Sequence, residues 1–253
     1  SETIMYRYRS GRGSDQISTH INYPSPGIEI AYILKDSLIV PLFLEITNEE
    51  GLVVRRYRSK KNAKDTVKTE ENMDLSTIEF VESRSLKTSK GAHQFRWNLR
   101  HDNRVLASPG TYHVRLFNDQ ISMEGDMTLL ADPRLEKDGF KKEDYKNQEK
   151  FALQVGDLLR EVNDFVDKNE KKISELEKKE ERTKKENAQL RILSNKMKRL
   201  KNEENIAYPQ QMYLSQLRYL SGMTSGTYQY ISEDMKKRFQ ELRTEWAEIE
   251  GLE

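Results

Sequence analysis

Apolar residues alternate with polar ones in the first half of the chain, and this alternation predicts β-strands. They recur at every second position over residues 28–34 and again over residues 40–46, which is the period of a strand with a buried face. The sequence Asn48-Glu49-Glu50-Gly51 is a hairpin turn signal, and residues 52–57 supply a return strand. The pattern therefore predicts a hairpin that is preceded by one further strand.

The segment 91–116 predicts two core strands that are joined through a turn. Phe95, Trp97 and Leu99 fall on one face of the first of these strands, so we expect all three in the core. Pro109-Gly110 is a turn signal, because proline fixes φ and glycine permits a positive φ. The segment is therefore interpreted as part of the fold and not as an active site.

The remaining strand signals complete a β-domain. Strands are predicted over residues 111–117 and 121–130, and a short edge strand at Ile78, Phe80 and Val81. About seven short strands with turns at roughly ten-residue spacing are typical of an immunoglobulin-like β-sandwich, here over residues 28–131. Two polar segments flank or interrupt it: an extended lead-in over residues 1–27 and an exposed loop over residues 59–75.

The period of the apolar residues changes after a linker at residues 132–141. Apolar side chains now recur at steps of three and four residues, which predicts an amphipathic helix from about Lys142 to Glu180. The charged run that follows has no apolar residue, and the stripe resumes in a shifted frame. We favour a helix hairpin with its turn near Thr183. A single long helix over residues 142–203 remains an alternative, because no glycine or proline marks the break.

Two more helices are predicted in the last fifty residues. Pro209 suits the first turn of one helix, and Gly222 and Gly226 are expected to end it. Ser232 is expected to cap the other. Their apolar stripes are Leu214, Leu217, Leu220 and Met223, then Met235, Phe239, Leu242, Trp246 and Ile249. Together the helices predict an antiparallel helical bundle of three to four helices over residues 142–253, so the fold class is α+β with two domains.

Composition narrows the classes of function. Lys plus Arg number 43 and Asp plus Glu 42, so the basic surplus typical of a nucleic-acid-binding protein is missing. The chain has 0 cysteines, which excludes disulfides and thiol catalysis. No apolar run approaches the length of about 20 residues that spans a bilayer. We therefore expect neither a nucleic-acid partner nor a membrane span.

The candidate catalytic and metal-binding residues are few. His93 and His113 are the two histidines that could approach each other across strands, but a metal site needs at least three ligands at fixed geometry. The acid pairs Glu49-Glu50 and Glu180-Glu181 lie in charge-rich turns, where solvated carboxylates are the simpler interpretation. We predict no catalytic residue, no metal ligand and no cofactor.

Five tyrosines form the candidate surface for a ligand or a protein partner. They cluster around the third helix and the segment that leaves it: Tyr208, Tyr213, Tyr219, Tyr228 and Tyr230. An aromatic surface suits a carbohydrate or another protein. The simpler interpretation is packing in the bundle core and at helix ends, since buried tyrosines commonly keep only the hydroxyl in water.

Several motifs, in order, carry a family resemblance. They are G-I-E-I-A-Y-I-L-K, L-F-L-E-I-T-N-E-E-G-L-V-V-R, G-A-H-Q-F-R-W-N-L-R, S-P-G-T-Y-H-V-R-L, A-D-P-R, an F-A-L helix entry and Y-P-Q-Q-M-Y-L-S-Q-L-R-Y-L. This series resembles the C-terminal region of bacterial BNR-repeat, sortilin-like "glycosyl hydrolase" proteins, common in Bacteroidetes. The resemblance covers most of residues 27–252.

The resemblance implies a context and a function. In the family, a β-propeller precedes an immunoglobulin-like sandwich and a helical bundle, and the protein is exported to the periplasm, the outer membrane or the extracellular space. The propeller is absent from this sequence, and no catalytic residue of the family maps onto it. The resemblance therefore implies a non-catalytic accessory or interaction module, whose partner is an upstream propeller or another protein. Carbohydrate binding is the alternative, followed by glycosidase activity.

Overall fold

The chain is an α+β protein whose described residues form two compact units. A computed structural model describes residues 2–4, 27–59, 86–201 and 212–252. One unit, called here the sheet unit, comprises Ser1–Asp102 and Ala107–Lys141. The other, called the helical unit, comprises Asn103–Leu106 and Lys142–Glu253. The predicted edge strand at residues 78–81 and most of the predicted loop at 59–75 lie outside the described residues.

The sheet unit contains two sheets. Its strands are β1 (Glu2–Ile4), β2 (Ile28–Leu34), β3 (Phe43–Asn48), β4 (Val53–Arg58), β5 (Gly91–Trp97), β6 (Gly110–Phe117) and β7 (Ser122–Leu130). The five-stranded sheet has the order β1-β7-β6-β3-β4, and β2 pairs with β5 in a separate antiparallel sheet. β1 runs parallel to β7 and was not predicted, because its three residues lie in a polar, turn-rich lead-in.

The predicted link between β5 and β6 is a crossover between sheets. β5 belongs to the two-stranded sheet and β6 to the five-stranded sheet, so residues 98–109 do not form a hairpin turn. Leu99 is fully buried, as expected, but it lies beyond the end of β5 with a φ of 57°. Leu99 is therefore buried because the chain crosses to the other sheet at this point, and not because it continues the alternation of β5.

The sheet unit buries aromatic side chains from both sheets. Trp97 of β5 contacts Tyr112 of β6 at a ring-centroid distance of 5.0 Å, and Phe95 contacts Tyr57 of β4 at 4.6 Å. The Trp97 indole N–H donates to the carbonyl of Arg100 at 3.0 Å. Trp97 is thus the large core side chain that the alternation of residues 91–99 predicts.

The segment after β7 contains a short helix that the sequence pattern did not predict. This helix, α1, covers Pro133–Lys137, with Asp132 as its N-cap and Pro133 in its first turn. The Asp132 side chain accepts from the backbone N–H of Arg134. One turn of helix is too short to produce an apolar period, so only the Asp-Pro signal marked it.

The helical unit is built from four longer helices. They are α2 (Lys142–Glu177), α3 (Lys184–Leu200), α4 (Tyr213–Gly226) and α5 (Glu233–Glu250). All four contribute to one hydrophobic core, which includes Val155, Leu200, Leu217 and Leu242. Gly222 lies inside α4 and only Gly226 ends it, whereas Ser232 caps α5 as predicted.

The break between α2 and α3 falls where the hairpin interpretation put it. Thr183 is the N-cap of α3 and forms a capping box with Glu186. Lys179, after the end of α2, pairs with Glu186 in the first turn of α3, and Lys201, after the end of α3, pairs with Glu170 of α2. α3 therefore runs back along α2. The alternative of one uninterrupted helix over residues 142–203 is wrong.

Candidate functional site

An open groove lies in the helical unit between α2, the α4–α5 connection and α5. Its volume is about 440 Å³. The side chains from α2 recur at steps of three and four residues, so they form one stripe on that helix. The groove is lined by aromatic, amide and charged side chains: Asp144, Asn147, Lys150, Phe151, Gln154, Tyr230, Ile231, Lys236, Phe239 and Gln240.

The floor of the groove is aromatic. Phe151 of α2 and Phe239 of α5 meet edge to face, with their ring centroids 5.5 Å apart. Phe239 is buried in the hydrophobic core of the unit, and Phe151 packs against that core. The groove is therefore anchored to the core on its inner side, while exposed side chains of Asn147, Gln154 and Gln240 form its polar rim.

One buried amide holds the α4–α5 connection in place. The Gln148 Nε2 group donates to the carbonyls of Thr224 at 2.8 Å and Thr227 at 2.6 Å. The Gln148 Oε1 atom accepts from the backbone N–H of Gln229 at 2.9 Å. Gln148 is only 3% exposed, so these bonds meet the hydrogen-bonding needs of a group that would be costly to bury unpaired. α2 is thereby joined to the last turn of α4 at one point and to the connection at two.

This attachment sets the direction of the two neighbouring tyrosines. Tyr228 packs its ring against Tyr145 of α2, with the centroids 4.8 Å apart. Two residues later, Tyr230 is 59% exposed and lines the groove. The backbone N–H of Gln229, between them, is bonded to Gln148. The position of Tyr230 therefore depends on a buried residue of another element.

The groove carries both signs of charge. Lys236 pairs with Glu233, one turn earlier on α5, at 2.6 Å. Lys150 is exposed. Among the described lining residues Asp144 is the one carboxylate, whereas glycoside hydrolysis requires two carboxyl groups that flank the scissile bond. The lining therefore suits contact with a ligand through rings, amides and charges.

The five predicted tyrosines do not share one surface. Tyr213 is 1% exposed and its hydroxyl donates to the carbonyl of Leu242 at 3.0 Å. Tyr228 packs at the end of α4, Tyr219 is 71% exposed on α4, and Tyr230 lines the groove. Tyr208 lies outside the described residues. Core and helix-end packing thus accounts for two of them, and a ligand role for the exposed tyrosines stays a prediction.

The two histidines expected to approach each other lie in different sheets. His93 is on β5 and His113 is on β6, so they are not cross-strand neighbours. The His93 Nε2 atom lies 2.6 Å from the carbonyl of Ser89, and the His113 Nδ1 atom lies 2.6 Å from Asp126 Oδ1. The prediction of their approach is wrong, because the crossover after β5 was not visible in the pattern.

The predicted acid pairs lie in exposed turns. Glu180 and Glu181 are exposed in the link between α2 and α3. Glu49 is exposed and accepts from the backbone N–H of Thr111 at 3.0 Å, which ties the β3–β4 turn to the start of β6. These carboxylates therefore occupy turns, and neither pair is among the residues that line the groove.

The ionisable groups with a shifted pKa serve the fold. Burial raises the pKa of Tyr213, Tyr32 and Tyr57. The hydrogen bond from the Arg134 side chain lowers the pKa of Asp132. The hydrogen bond from Lys179, followed by those from Thr183, lowers the pKa of Glu186 to about 2. Each of these groups packs in a core or caps a helix, and none of them lines the groove.

The described residues contain neither a cluster of metal-binding side chains nor a membrane-crossing helix. Within them, no group of three or more histidine, cysteine, aspartate or glutamate residues has a geometry that suits a metal ion. None of the helices in the same part of the chain combines the length and apolarity that crossing a bilayer requires.

The residues that matter most for the groove escaped sequence reasoning. Gln148 looks like any polar residue on an amphipathic helix, and its burial follows from the partner that folds over it. Phe239 belongs to the apolar stripe predicted for the last helix, but its meeting with Phe151 at the groove floor depends on how two helices pack. The signal that did exist was the exposed aromatic at Tyr230, next to the Ser232 cap.

The fold and the groove define the class: an α+β protein whose helical unit carries an open groove with an aromatic floor and a polar rim. Comparison with known protein families found no family model that matches the chain. Comparison with curated proteins found no match either.

Proposed function

We propose that this chain is a non-catalytic accessory module that binds a partner, and that it belongs to an exported protein carrying an upstream β-propeller. The proposal rests on the ordered series of motifs that resembles BNR-repeat, sortilin-like proteins. It takes the sheet unit as an immunoglobulin-like sandwich and the helical unit as an antiparallel bundle. The ring contacts between the two sheets and the return of α3 along α2 support these assignments.

The observation that carries a binding role is the presentation of Tyr230. A buried, fully bonded Gln148 fixes the connection that holds this ring at the groove. Interfaces are enriched in tyrosine, because its ring supplies a large contact area at low entropic cost. A rigidly presented, exposed tyrosine beside amides and charges is therefore a suitable anchor for a partner.

Calorimetric titration of this chain with the propeller region of its parent protein tests the proposal. Tyr230→Ala is expected to weaken binding by about tenfold or more, the effect of losing an interface anchor. Tyr219→Ala is the matched control, since it removes an exposed tyrosine that does not line the groove. A parent protein without a propeller, or equal effects of the two substitutions, would contradict the proposal.

Carbohydrate binding in the groove is the second candidate, and the composition of the rim favours it. Tyr230 lines the groove together with the amide side chains of Asn147, Gln154 and Gln240. A ring that stacks on a sugar and amides that bond its hydroxyls are the groups that a sugar requires. The candidate needs no catalytic residue.

A panel of neutral oligosaccharides distinguishes the two candidates. If the groove binds sugar, calorimetry detects binding that Tyr230→Ala removes and Tyr219→Ala retains. Binding of the propeller region with no sugar binding selects the protein partner. Hydrolysis of any oligosaccharide in the panel that disappears in Asp144→Asn would overturn the non-catalytic assignment in favour of a glycosidase.

A further inference from the structure

The exposed face of the five-stranded sheet carries ordered rows of side chains. On β3, Leu44 and Ile46 are buried, so Phe43 and Glu45 lie on the opposite, outer face. In the register of the sheet Phe43 is opposite Arg58 on β4 and opposite Phe117 on β6. These residues form one row across three strands, at the first residue of β3.

Rings and guanidinium groups stack along this row. The rings of Phe43 and Phe117 are stacked, with centroids 5.7 Å apart and planes at 27°. The guanidinium carbon of Arg58 lies 5.6 Å from the centre of the Phe43 ring. The guanidinium carbon of Arg115, a residue of the next row, lies 4.7 Å from the centre of the Phe117 ring. We call these four residues the aromatic row.

Arg58 differs from the other arginines of this face. Arg56 pairs with Glu45 on the neighbouring strand, and Arg115 pairs with Glu124 at 3.5 Å. Within the described part of the chain Arg58 forms no ion pair and contacts the Phe43 ring instead. A guanidinium stacked on a ring keeps its N–H donors at its edge, where they fit a carboxylate. The aromatic row therefore combines a flat apolar surface with an unneutralised cation.

We propose that the aromatic row binds an acidic sugar, a pyranose ring that carries a carboxylate, within a polysaccharide. The ring of the sugar stacks on the guanidinium planes that cover the two phenylalanine rings, and its carboxylate accepts hydrogen bonds from Arg58. This site lies in the sheet unit and is independent of the groove and of the function proposed for it.

The chemistry of the sheet face favours a sugar over a peptide. β3 and β6 each have a neighbouring strand on both sides, and their backbone N–H and C=O groups bond to those neighbours. At Phe43 and Phe117 this face therefore offers side chains and no free backbone for an extended peptide. Ser122 of β7 is opposite Phe117 in the register, so it shares the outer face beside the row. Its hydroxyl group accepts from Arg115 at 3.1 Å and can donate to a hydroxyl of a sugar.

Calorimetric titration with a hexamer of α-1,4-linked galacturonate tests the proposal. The fully methyl-esterified hexamer is the matched ligand, because it has the same rings without the charge. We expect the acidic hexamer to bind at least about tenfold more tightly than the ester, since hydrogen bonds to charged groups are the stronger ones. Its affinity should fall as salt is added.

Matched substitutions locate the binding. Arg58→Gln is expected to weaken binding of the acidic hexamer by about tenfold. Arg56→Gln, on the same strand and face but paired with Glu45, should change it less than about twofold. Tyr230→Ala should leave it unchanged. The circular dichroism spectrum of each variant reports whether the fold is retained.

Three results would overturn the assignment. If calorimetry detects no binding at millimolar concentrations of the acidic hexamer, the assignment is wrong. Equal effects of Arg56→Gln and Arg58→Gln reduce the interaction to general attraction of an anion by a charged face. Benzoate, a flat ring that carries one carboxylate, is the third ligand. If benzoate binds as tightly as the hexamer, the row recognises any carboxylate attached to a ring and does not select a sugar.

Discussion

The two units of this chain are held together by different kinds of hydrogen bond. In the sheet unit, neighbouring strands exchange backbone hydrogen bonds along their whole length, as in the pairing of β2 with β5 from Ile28–Trp97 to Leu34–Gly91. In the helical unit the backbone bonds stay within each helix. Side chains must therefore supply the specific links between helices.

A few side chains make these links in the helical unit. Gln148 joins α2 to the α4–α5 connection, and the Tyr213 hydroxyl joins α4 to the Leu242 carbonyl of α5. The Trp246 indole N–H donates to Glu161 of α2 at 2.8 Å. Packing is therefore the sensitive point of the sheet unit, whereas single polar bonds position parts of the helical unit.

The largest predicted effect uses the 2 tryptophans of the chain, one in the core of each unit. Trp97→Ala should destabilise the sheet unit by about 3–5 kcal/mol, the usual cost of removing a buried aromatic ring. Trp246→Ala should cost the helical unit a similar amount. Circular dichroism during urea unfolding measures each loss.

The tryptophan that remains in each variant reports on the other unit. Trp97 contacts Tyr112 of the sheet unit, and Trp246 contacts Phe165 and Tyr213 of the helical unit. The fluorescence transition of the remaining tryptophan should therefore keep its midpoint. If each substitution moved the transition of both units equally, the two cores would unfold as one, and the contrast drawn between the units would be wrong.

The second prediction isolates a single polar link. Gln148→Leu leaves the Thr224 carbonyl of α4, and one carbonyl and one N–H of the α4–α5 connection, without their partner, which should cost about 1–3 kcal/mol. Hydrogen exchange should accelerate at Gln229, whose N–H donates to Gln148.

Gln154→Leu is the control for this prediction, because Gln154 is an exposed glutamine of the same helix. Its effect should stay within about 0.5 kcal/mol. Equal losses of stability from the two substitutions would show that the buried amide has no special part in positioning the connection.

The third prediction concerns the capping box that starts α3. The folded pKa of Glu186 is about 2, below its ordinary value of 4.5. A depressed carboxyl pKa stabilises the folded chain fully above pH 4.5, and this stabilisation is lost as the pH falls towards 2. Thr183→Ala should also cost about 1 kcal/mol through the lost cap.

An NMR titration of the Glu186 side chain tests the cause of this shift. Lys179→Gln should raise the pKa of Glu186 more than Thr183→Ala does, since the bond from Lys179 contributes most to the shift. A reversed order would contradict the assignment of the cause.

The smallest effect is expected at Gly156, inside α2. A Cβ there would lie 2.9 Å from the Nδ2 atom of Asn103, which is the end of a flexible side chain. Alanine favours the helix by up to about 1 kcal/mol relative to glycine, and moving Asn103 offsets part of it. Gly156→Ala should change the stability by less than about 0.5 kcal/mol, the usual size for a substitution without a large packing effect.

Combining the substitution with Asn103→Ala separates the two opposing effects, which are the gain in helix propensity and the displacement of Asn103. In the Asn103→Ala background Gly156→Ala should stabilise the helical unit by about 0.5–1 kcal/mol. The same small effect in both backgrounds would show that Asn103 does not limit the side chain at position 156. Thermal unfolding followed at a helical wavelength provides the measurement.

Much of the helical unit could be predicted from the sequence. The predicted start of α2 at Lys142, the cap at Ser232 and the break near Thr183 agree with the structure. Helix bounds depend on local signals, because caps and backbone bonds join residues within four positions. The alternation of residues 28–34 likewise predicted β2 with its bounds.

The pairing of strands and the groove were not predictable in the same way. The alternation that predicts β5 and β6 is compatible with two arrangements: a hairpin, or two strands in different sheets. An approach of His93 to His113 requires the hairpin. The site also combines elements far apart in the chain, since Gln148 bonds residues 76 to 81 positions away. Such contacts leave no mark on the local pattern.

Local patterns in the sequence thus specify the elements of this protein: where most strands and helices begin and end, and which faces are apolar. The pairing of β5 with β2, the burial of Tyr213 beside the exposure of Tyr230, and the stacking of Phe43 with Phe117 beneath Arg58 and Arg115 are visible only in the folded chain. The physical reason is the range of the interactions. Periodicity and caps record energies between near neighbours, whereas burial, strand pairing and side-chain stacking depend on distant residues that folding brings together.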